Sequence, residues 1–261
     1  MQRGFSLVEL SIVLVILGLL TGGILGGQAL IRAAEMRSVS TEHSRYVTAL
    51  QTFRDKYFAV PGDMTNATAF WGKDNTNCAA QAGAAATPGT CNGNGDGGVS
   101  WGYSVDNGEK HRFWQQLSLA GIIEGNYPGT STATTVVIGT DAPRSKLNNA
   151  GWGVGGALNN AGSGNAWGAN GAGVVSGYGN YLTFGAQATN NNPIAGVLKA
   201  EEAWNIDTKM DDGQPGRGKV LSFASAGVGY CDARANNTDY NAAYLLNSTT
   251  TSCAFYFTNA F

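Results

Sequence analysis

The side chains best suited to binding an ion lie in two short loops. In the first, Asn92, Asn94 and Asp96 place an oxygen-bearing side chain at every second residue, and Gly97 follows. This spacing matches the first half of a calcium loop, in which positions 1, 3 and 5 supply oxygen ligands and a glycine at position 6 makes the turn. Position 12 is Tyr103 rather than a glutamate. The second half of the pattern is therefore missing.

A closing carboxylate for this first loop would come from Asp106, Glu109 or elsewhere in the chain. The alternative is an ordinary Asn/Gly turn between Cys91 and Trp101, which needs no ion. The sequence leaves both interpretations open.

The second loop places three carboxylates, Asp207, Asp211 and Asp212, within six residues. Such a cluster of oxygen donors is also a candidate calcium site. The end of a helix followed by a turn would explain the same composition, with Lys209, Arg217 and Lys219 available to neutralise the charge.

The sequence gives little support for a catalytic function. The chain has two histidines and four cysteines, and it contains no HExxH or CxxC pattern. Gly213 to Lys219 matches GxxxxGK, but Val220 stands where a P-loop needs Ser or Thr, and Pro215 removes a backbone N–H. The GxGxxG match at Gly151 to Gly156 follows no predicted strand. We therefore expect a protein without enzymatic activity.

The composition excludes further classes of protein. Charged residues make up 13% of the chain, against the roughly 25% usual for soluble domains, and the formal net charge is −2. This balance excludes a strongly basic nucleic-acid binder. Part of the low charge lies in an uncharged run of 22 residues from Leu10 to Ile31. As a helix this run would be about 33 Å long, enough to cross a bilayer.

Glu9 lies just before this run, where a carboxylate is costly unless it finds a partner. The sequence Gly4-Phe5-Ser6-Leu7-Val8-Glu9-Leu10 follows a three-residue leader with one basic residue, Arg3. It resembles the processing site of the type IV pilin and type II secretion pseudopilin superfamily. The motif covers about 30 residues and is specific.

The resemblance implies how the chain is processed and used. A membrane-bound prepilin peptidase would cut after Gly4, removing residues 1–4, and methylate the new amino terminus at Phe5. Glu9, as the fifth mature residue, would pair with the Phe5 amine of a neighbouring subunit. The resemblance implies three partners: other pilin or pseudopilin subunits, the prepilin peptidase and an inner-membrane assembly platform. The precursor would span the cytoplasmic membrane once, with its head outside, before joining an extracellular pilus or a periplasmic pseudopilus.

The helix is expected to continue past the membrane. Residues 5–31 would form the transmembrane and filament-core part. Residues 32–58 are amphipathic, with an apolar stripe and with Arg32, Glu35, Glu42, Arg45 and Lys56 left for the other surfaces. The stripe consists of Val39, Tyr46, Leu50, Phe53 and Tyr57. Val60-Pro61-Gly62 would end the helix, and His43 is interpreted as a packing residue.

Residues 59–261 are predicted to form an α+β head with an antiparallel sheet packed on the helix, as in pilins. Expected strands cover Thr135–Ile138, Tyr181–Phe184 and Val220–Phe223, and expected helices cover Glu109–Ile123 and Lys199–Asp207.

Four cysteines allow three disulfide pairings. A head outside the cytoplasm lies in an oxidising space, where such bonds persist. We expect the local pairing, Cys78 with Cys91 and Cys231 with Cys253, so that the second bond holds the C-terminal segment, as in many type IV pilins.

The stretch from Leu147 to Leu198 has no charged residue in 52 positions and is rich in Gly, Asn and aromatic residues. One interpretation is a long insertion between strands of the sheet. The other is an adhesive surface, which would make the chain a tip-located minor pilin rather than a repeating subunit.

Overall fold

A computed structural model describes residues 6–99, 108–129, 135–156, 179–189, 192–224, 231–233, 241–258 and 260–261. In chain order its elements are α1 (Leu7–Tyr57), α2 (Ala67–Trp71), α3 (Glu109–Leu119), β1 (Gly151–Gly155), β2 (Tyr181–Gly185), α4 (Ala200–Met210), β3 (Val220–Ala224) and β4 (Cys253–Phe257). A long apolar helix followed by a four-stranded antiparallel sheet confirms the predicted α+β, pilin-like layout.

The sheet has the strand order β1-β2-β4-β3, and every neighbouring pair is antiparallel. Alternate residues of each strand face α1, because side chains along a strand point to opposite faces. On β4, Phe255 and Phe257 join the main core, whereas Tyr256 packs on the opposite face with Tyr181 and Leu221. Both faces of the sheet are therefore covered.

The C-terminal half of α1 packs against the sheet through the expected stripe. Val39, Tyr46, Leu50 and Phe53 are buried, and Tyr57 packs against the same core at its edge. Around them lie the largest buried side chains of the head, which include Trp114, Trp152, Phe113 and Phe184. Glu42, expected on an outer surface, is instead buried in this seam. Its burial is a correction to the sequence-based pattern.

Four predicted elements are confirmed with shifted ends. Strands β2 and β3 each extend one residue beyond the expected range. Helix α3 stops at Leu119 rather than Ile123, before a turn at Gly121, whose φ of +70° suits glycine. Helix α4 runs on from Asp207 to Met210.

The predicted strand at Thr135–Ile138 was wrong. The backbone N–H groups of Val137 and Ile138 donate to side chains, the carboxylate of Asp141 at 2.9 Å and the amide oxygen of Gln187 at 2.9 Å. Because their donors are used in this way, the apolar run forms a turn with an isolated bridge from Ile138 to Ala142.

The range 147–198 includes strands β1 and β2 of the sheet. The GxGxxG match is part of β1 itself. Its glycines allow close approach: a Cβ at Gly153 would lie 2.4 Å from the Thr183 hydroxyl, and one at Gly155 would lie 2.1 Å from the Tyr181 hydroxyl. The sheet therefore explains this motif without any nucleotide.

Candidate functional site

The first turn of α1 is held by a capping box. The Glu9 carboxylate accepts the backbone N–H of Ser6 at 2.9 Å, and the Ser6 hydroxyl accepts the N–H of Val8 at 3.3 Å. These bonds satisfy donors that a helix start leaves unpaired. The Ser-x-x-Glu spacing carried this signal, but the sequence-based interpretation considered Glu9 only for assembly. Gly4 and Phe5 lie outside the described residues.

The stretch from Leu7 to Ile31 is uncovered by the head. Its large apolar side chains are between 50% and 86% exposed. A Cβ on any of its five glycines would meet no atom within 4 Å. Their positions are Gly18, Gly22, Gly23, Gly26 and Gly27. By length and composition α1 is able to cross a membrane, with a mean hydropathy of 2.4 in its most apolar window.

Arg32 marks where the head begins to hold α1. Its guanidinium forms a two-pronged ion pair with the Glu202 carboxylate of α4, at 2.6 and 2.7 Å, and its third nitrogen lies 3.2 Å from Glu35. Burial raises the pKa of Glu202, but the hydrogen bonds from Arg32 and from the Lys199 N–H outweigh it, so its pKa lies below the ordinary value. The bare apolar stretch therefore ends at a fixed point.

Two disulfides hold the loops of the head. Cys78 is bonded to Cys91, and Cys231 to Cys253, which confirms the local pairing. The second bond joins β4 to the segment that follows β3.

The loop from Asn92 to Gly98 wraps around a carboxylate that the sequence analysis missed. Asp63 accepts the backbone N–H groups of Gly95 at 2.6 Å and Gly97 at 2.8 Å. Glu109, at the start of α3, accepts the N–H of Asn94 at 3.1 Å. No spacing pattern links Asp63 to this loop, because 32 residues separate it from Gly95.

The candidate ligands of this loop serve as hydrogen-bond acceptors, Asn92 for α2 and the other two within the loop. The Asn92 side-chain oxygen accepts the Thr68 N–H at 2.8 Å, and the Asp96 carboxylate accepts the Gly98 N–H at 2.8 Å. The Asn94 oxygen accepts the Asp96 N–H at 2.9 Å. These bonds are typical of an Asx-rich turn. Asp106 lies outside the described residues, and calcium binding at this loop stays a prediction.

The second acidic loop brings its three carboxylates together. Asp207, Asp211 and Asp212 can each turn one oxygen to within 4.8 Å of the others. Asp207 is fully buried at the end of α4 and accepts the Tyr244 hydroxyl at 2.9 Å and the Gly213 N–H at 3.2 Å. Burial, with smaller contributions from Asp211 and Asp212, raises the pKa of Asp207 to about 7 despite those two bonds.

The other two carboxylates have counter-charges and donors nearby. Asp211 accepts the backbone N–H groups of Lys219 and Val220, and Asp212 lies 3.4 Å from the Arg217 guanidinium. Strand β3 begins at Val220. The GxxxxGK match in this loop therefore precedes a strand rather than the helix of a P-loop, as expected.

Neither histidine is placed for catalysis by the residues described. His43 packs on α1 against Phe257, with ring centroids 4.5 Å apart, and burial lowers its pKa to about 4. His111 is buried in α3, and burial, together with the charges of Lys110 and Arg112, lowers its pKa to about 4.

The adhesive interpretation of residues 147–198 stays a prediction, and three of its five aromatic residues are described. Trp152, Tyr181 and Phe184 are buried in the sheet and its core. Trp167 and Tyr178, the other two aromatic residues considered there, lie outside the described residues.

Residues 1–25 match a family model described as the prokaryotic N-terminal methylation motif. The chain thus carries the type IV pilin and pseudopilin signature at its N-terminus. No curated protein and no solved structure matches the chain.

Proposed function

We propose that this chain is a polymerising structural subunit of a type IV pilus or a related pseudopilus. The observation that carries the proposal is the methylation motif at residues 1–25, which includes the start of an apolar helix that the described head leaves uncovered. Exposed side chains of this kind are stable in lipid before assembly or against copies of the same helix afterwards.

In this proposal the precursor is anchored by α1 in the cytoplasmic membrane with the head on the outer side. Prepilin peptidase removes residues 1–4 and methylates the Phe5 amine. An assembly platform in the same membrane then adds the subunit to a filament. The role is structural and non-enzymatic.

Glu9 would serve the precursor and the filament in turn. Its carboxylate caps the helix through the Ser6 N–H, and the Phe5 amine of an incoming neighbour is a charged donor to the same group. A carboxylate and an amine that are each costly in an apolar bundle stabilise one another when paired, and only in one axial register. The pair would therefore fix how far each subunit is displaced from the next.

We also propose that the carboxylates of Asp207, Asp211 and Asp212 hold a structural Ca²⁺ ion. Two observations support a site for this ion. One oxygen of each carboxyl group lies within 4.8 Å of the other two, and the raised pKa of Asp207 indicates that its buried charge is unfavourable. A hard divalent cation would neutralise that charge and tie the end of α4 to the loop before β3.

The polymerisation proposal is tested by replacing Glu9 with Ala in the producing cell. Filament recovery should fall sharply while the precursor is still made and inserted, because the charged partner for the neighbouring amine is lost. A Leu10→Ala variant is the matched control for a small change in the same turn. Filaments of normal abundance from Glu9→Ala would contradict the proposal.

A further inference from the structure

Phe58, the residue that ends α1, has an unusual backbone for its type. It caps the helix in the left-handed region, at φ 53° and ψ 33°, with its N–H bonded to the Arg54 carbonyl at 2.8 Å. Glycine is the residue favoured in this conformation. A residue with a Cβ there makes the folded protein less stable by about 1 kcal/mol. Asn149 is the other non-glycine residue with positive φ in the described ranges, and asparagine tolerates that region well.

The side chain of Phe58 is also exposed. At 93% exposure it is the most exposed large apolar side chain among the residues described. Its neighbour Tyr57 packs inward, 4.6 Å from Phe53 and 5.2 Å from Trp71 by ring centroid. Phe58 makes no ring contact within the described head. The exposed side chain of Phe58 therefore contributes little to the packing of the single subunit.

A groove of about 600 Å³ lies beside Phe58. One wall is formed by Gln51, Arg54 and Asp55 in the last turns of α1, and the other by Thr65 and the loop at Gly95. The loop wall is fixed in place, because the Asp63 carboxylate holds the N–H of Gly95. An exposed phenylalanine next to a preformed groove is typical of a contact with another macromolecule.

The position of Phe58 along α1 indicates which macromolecule. Arg32, where the head first holds α1, and Phe58 are 26 residues apart, so they lie about 39 Å apart along the helix. They lie at opposite ends of the part of α1 that contacts the described head. In a filament of parallel α1 helices, copies are displaced along the helix axis, and such head-to-tail contacts join different surfaces of the two copies.

The two ends carry complementary groups. At the Phe58 end, Arg54 and Lys56 are exposed on either side of Asp55, which is also exposed, so two basic groups accompany one acidic group there. At the other end, the exposed side chains of Glu201 and Trp204 lie on α4 next to Glu202, the partner of Arg32, and Lys199 is exposed just before α4. An acidic and an aromatic side chain of one copy can therefore meet a basic and an aromatic side chain of another.

We propose that Phe58 and the groove beside it form a contact with a second copy of this chain, at the start of its α4 around Glu201 and Trp204. The inference rests on the proposed filament function. It adds a contact between different surfaces of two heads to the packing of the apolar helices.

Phe58→Gly separates this role from a structural one. Glycine suits the left-handed cap, so the full-length variant in detergent should melt at or above the wild-type temperature. Polymer recovered after shearing should fall about fivefold or more if the side chain contributes as a central contact residue does. Leu246→Ala, which shortens another exposed apolar side chain of the head, should leave polymer recovery unchanged.

A cysteine pair tests the partner surface. All four native cysteines are in disulfides, so Asp55→Cys combined with Glu201→Cys adds two free thiols beside Phe58 and Trp204 while both aromatic side chains stay in place. Oxidation of polymers should give a ladder of covalent multimers, whereas either single variant should give none beyond a dimer.

The results also distinguish this inference from the proposed function. A lower melting temperature for Phe58→Gly, unchanged polymer recovery, or no ladder would overturn the Phe58 contact. If Glu9→Ala still abolished assembly in that case, the filament proposal would stand without it. Normal assembly of Glu9→Ala would instead contradict the filament proposal, independently of the results for the Phe58 variants.

Discussion

Trp152 donates its indole N–H to the carboxylate of Glu42 at 2.8 Å, across 110 residues of sequence. The second oxygen of Glu42 accepts the backbone N–H of Lys146 at 2.9 Å. One buried carboxylate thereby ties α1 both to β1 and to the segment that leads into it. This seam fixes the head on the helix that carries the apolar stretch.

Glu42→Ala should destabilise the full-length protein in detergent by about 2 to 4 kcal/mol, because the indole and the backbone N–H would lose their charged acceptor inside the core. Glu42→Gln keeps an acceptor and should cost clearly less. Urea denaturation followed by tryptophan fluorescence gives both values. Equal losses for the two variants would show that packing, rather than the hydrogen bonds, makes the contribution.

The pKa of His43 predicts a loss of stability in acid. His43 of the unfolded chain binds a proton near pH 6.5, whereas in the folded chain its partly buried imidazole binds one only near pH 4. Protons therefore favour the unfolded state, and the contribution of neutral His43, complete above about pH 6.5, declines as the pH falls toward 4. Relative to a His43→Phe variant, the wild type should lose about 2 kcal/mol over this range.

The measurement is the free energy of unfolding of both proteins at several pH values. Groups other than His43, including His111, cancel in the difference between them. A difference that does not change with pH would contradict a buried, neutral His43.

Asp207 should behave in the opposite way. Its folded pKa, about 7, lies above the ordinary value of 3.8 because the carboxyl group is buried. Its contribution to stability is therefore complete below about pH 4 and is lost as the pH rises through 7. In EDTA, the wild type should lose stability between pH 5 and pH 8 relative to Asp207→Asn.

Calcium should remove that disadvantage. Added Ca²⁺ is expected to raise the melting temperature of the wild type at pH 8 and to leave that of Asp207→Asn unchanged. Asp96→Asn, in the other acidic loop, is the matched control and should respond to Ca²⁺ like the wild type. A response lost in Asp96→Asn but kept in Asp207→Asn would place the ion in the first loop, and no response in any of the three proteins would dismiss both sites.

The sequence predicted those features that depend on local pattern. The spacing of seven residues, about two helical turns, between Val39, Tyr46 and Phe53 identified the buried face of α1. The sequence separations of the cysteines favoured the pairs that form. The motif around Glu9 was specific because cleavage, methylation and helix start are encoded in adjacent residues.

The features that the sequence did not predict depend on contacts between residues far apart in the chain. The local sequence predicts that Glu42 is exposed. Its contact with Trp152, from a distant part of the chain, is what explains its burial. Strand β1 was missed because its glycines resemble a loop, and only the packing of Tyr181 and Thr183 explains them. The run ending at Ile138 has high strand propensity, but the Asp141 and Gln187 side chains take its backbone donors. Propensity is overridden by such tertiary contacts.

The central claim is that the chain is cut after Gly4 and assembled through the helix that begins beyond it. Intact-mass and N-terminal peptide mass spectrometry of the protein from the producing cell tests it most directly. The account predicts a mature N-terminus at Phe5 carrying one methyl group, with a mass that also reflects two disulfides. An N-terminus at Met1 in the assembled protein, or one created by cleavage beyond Glu9, would contradict it.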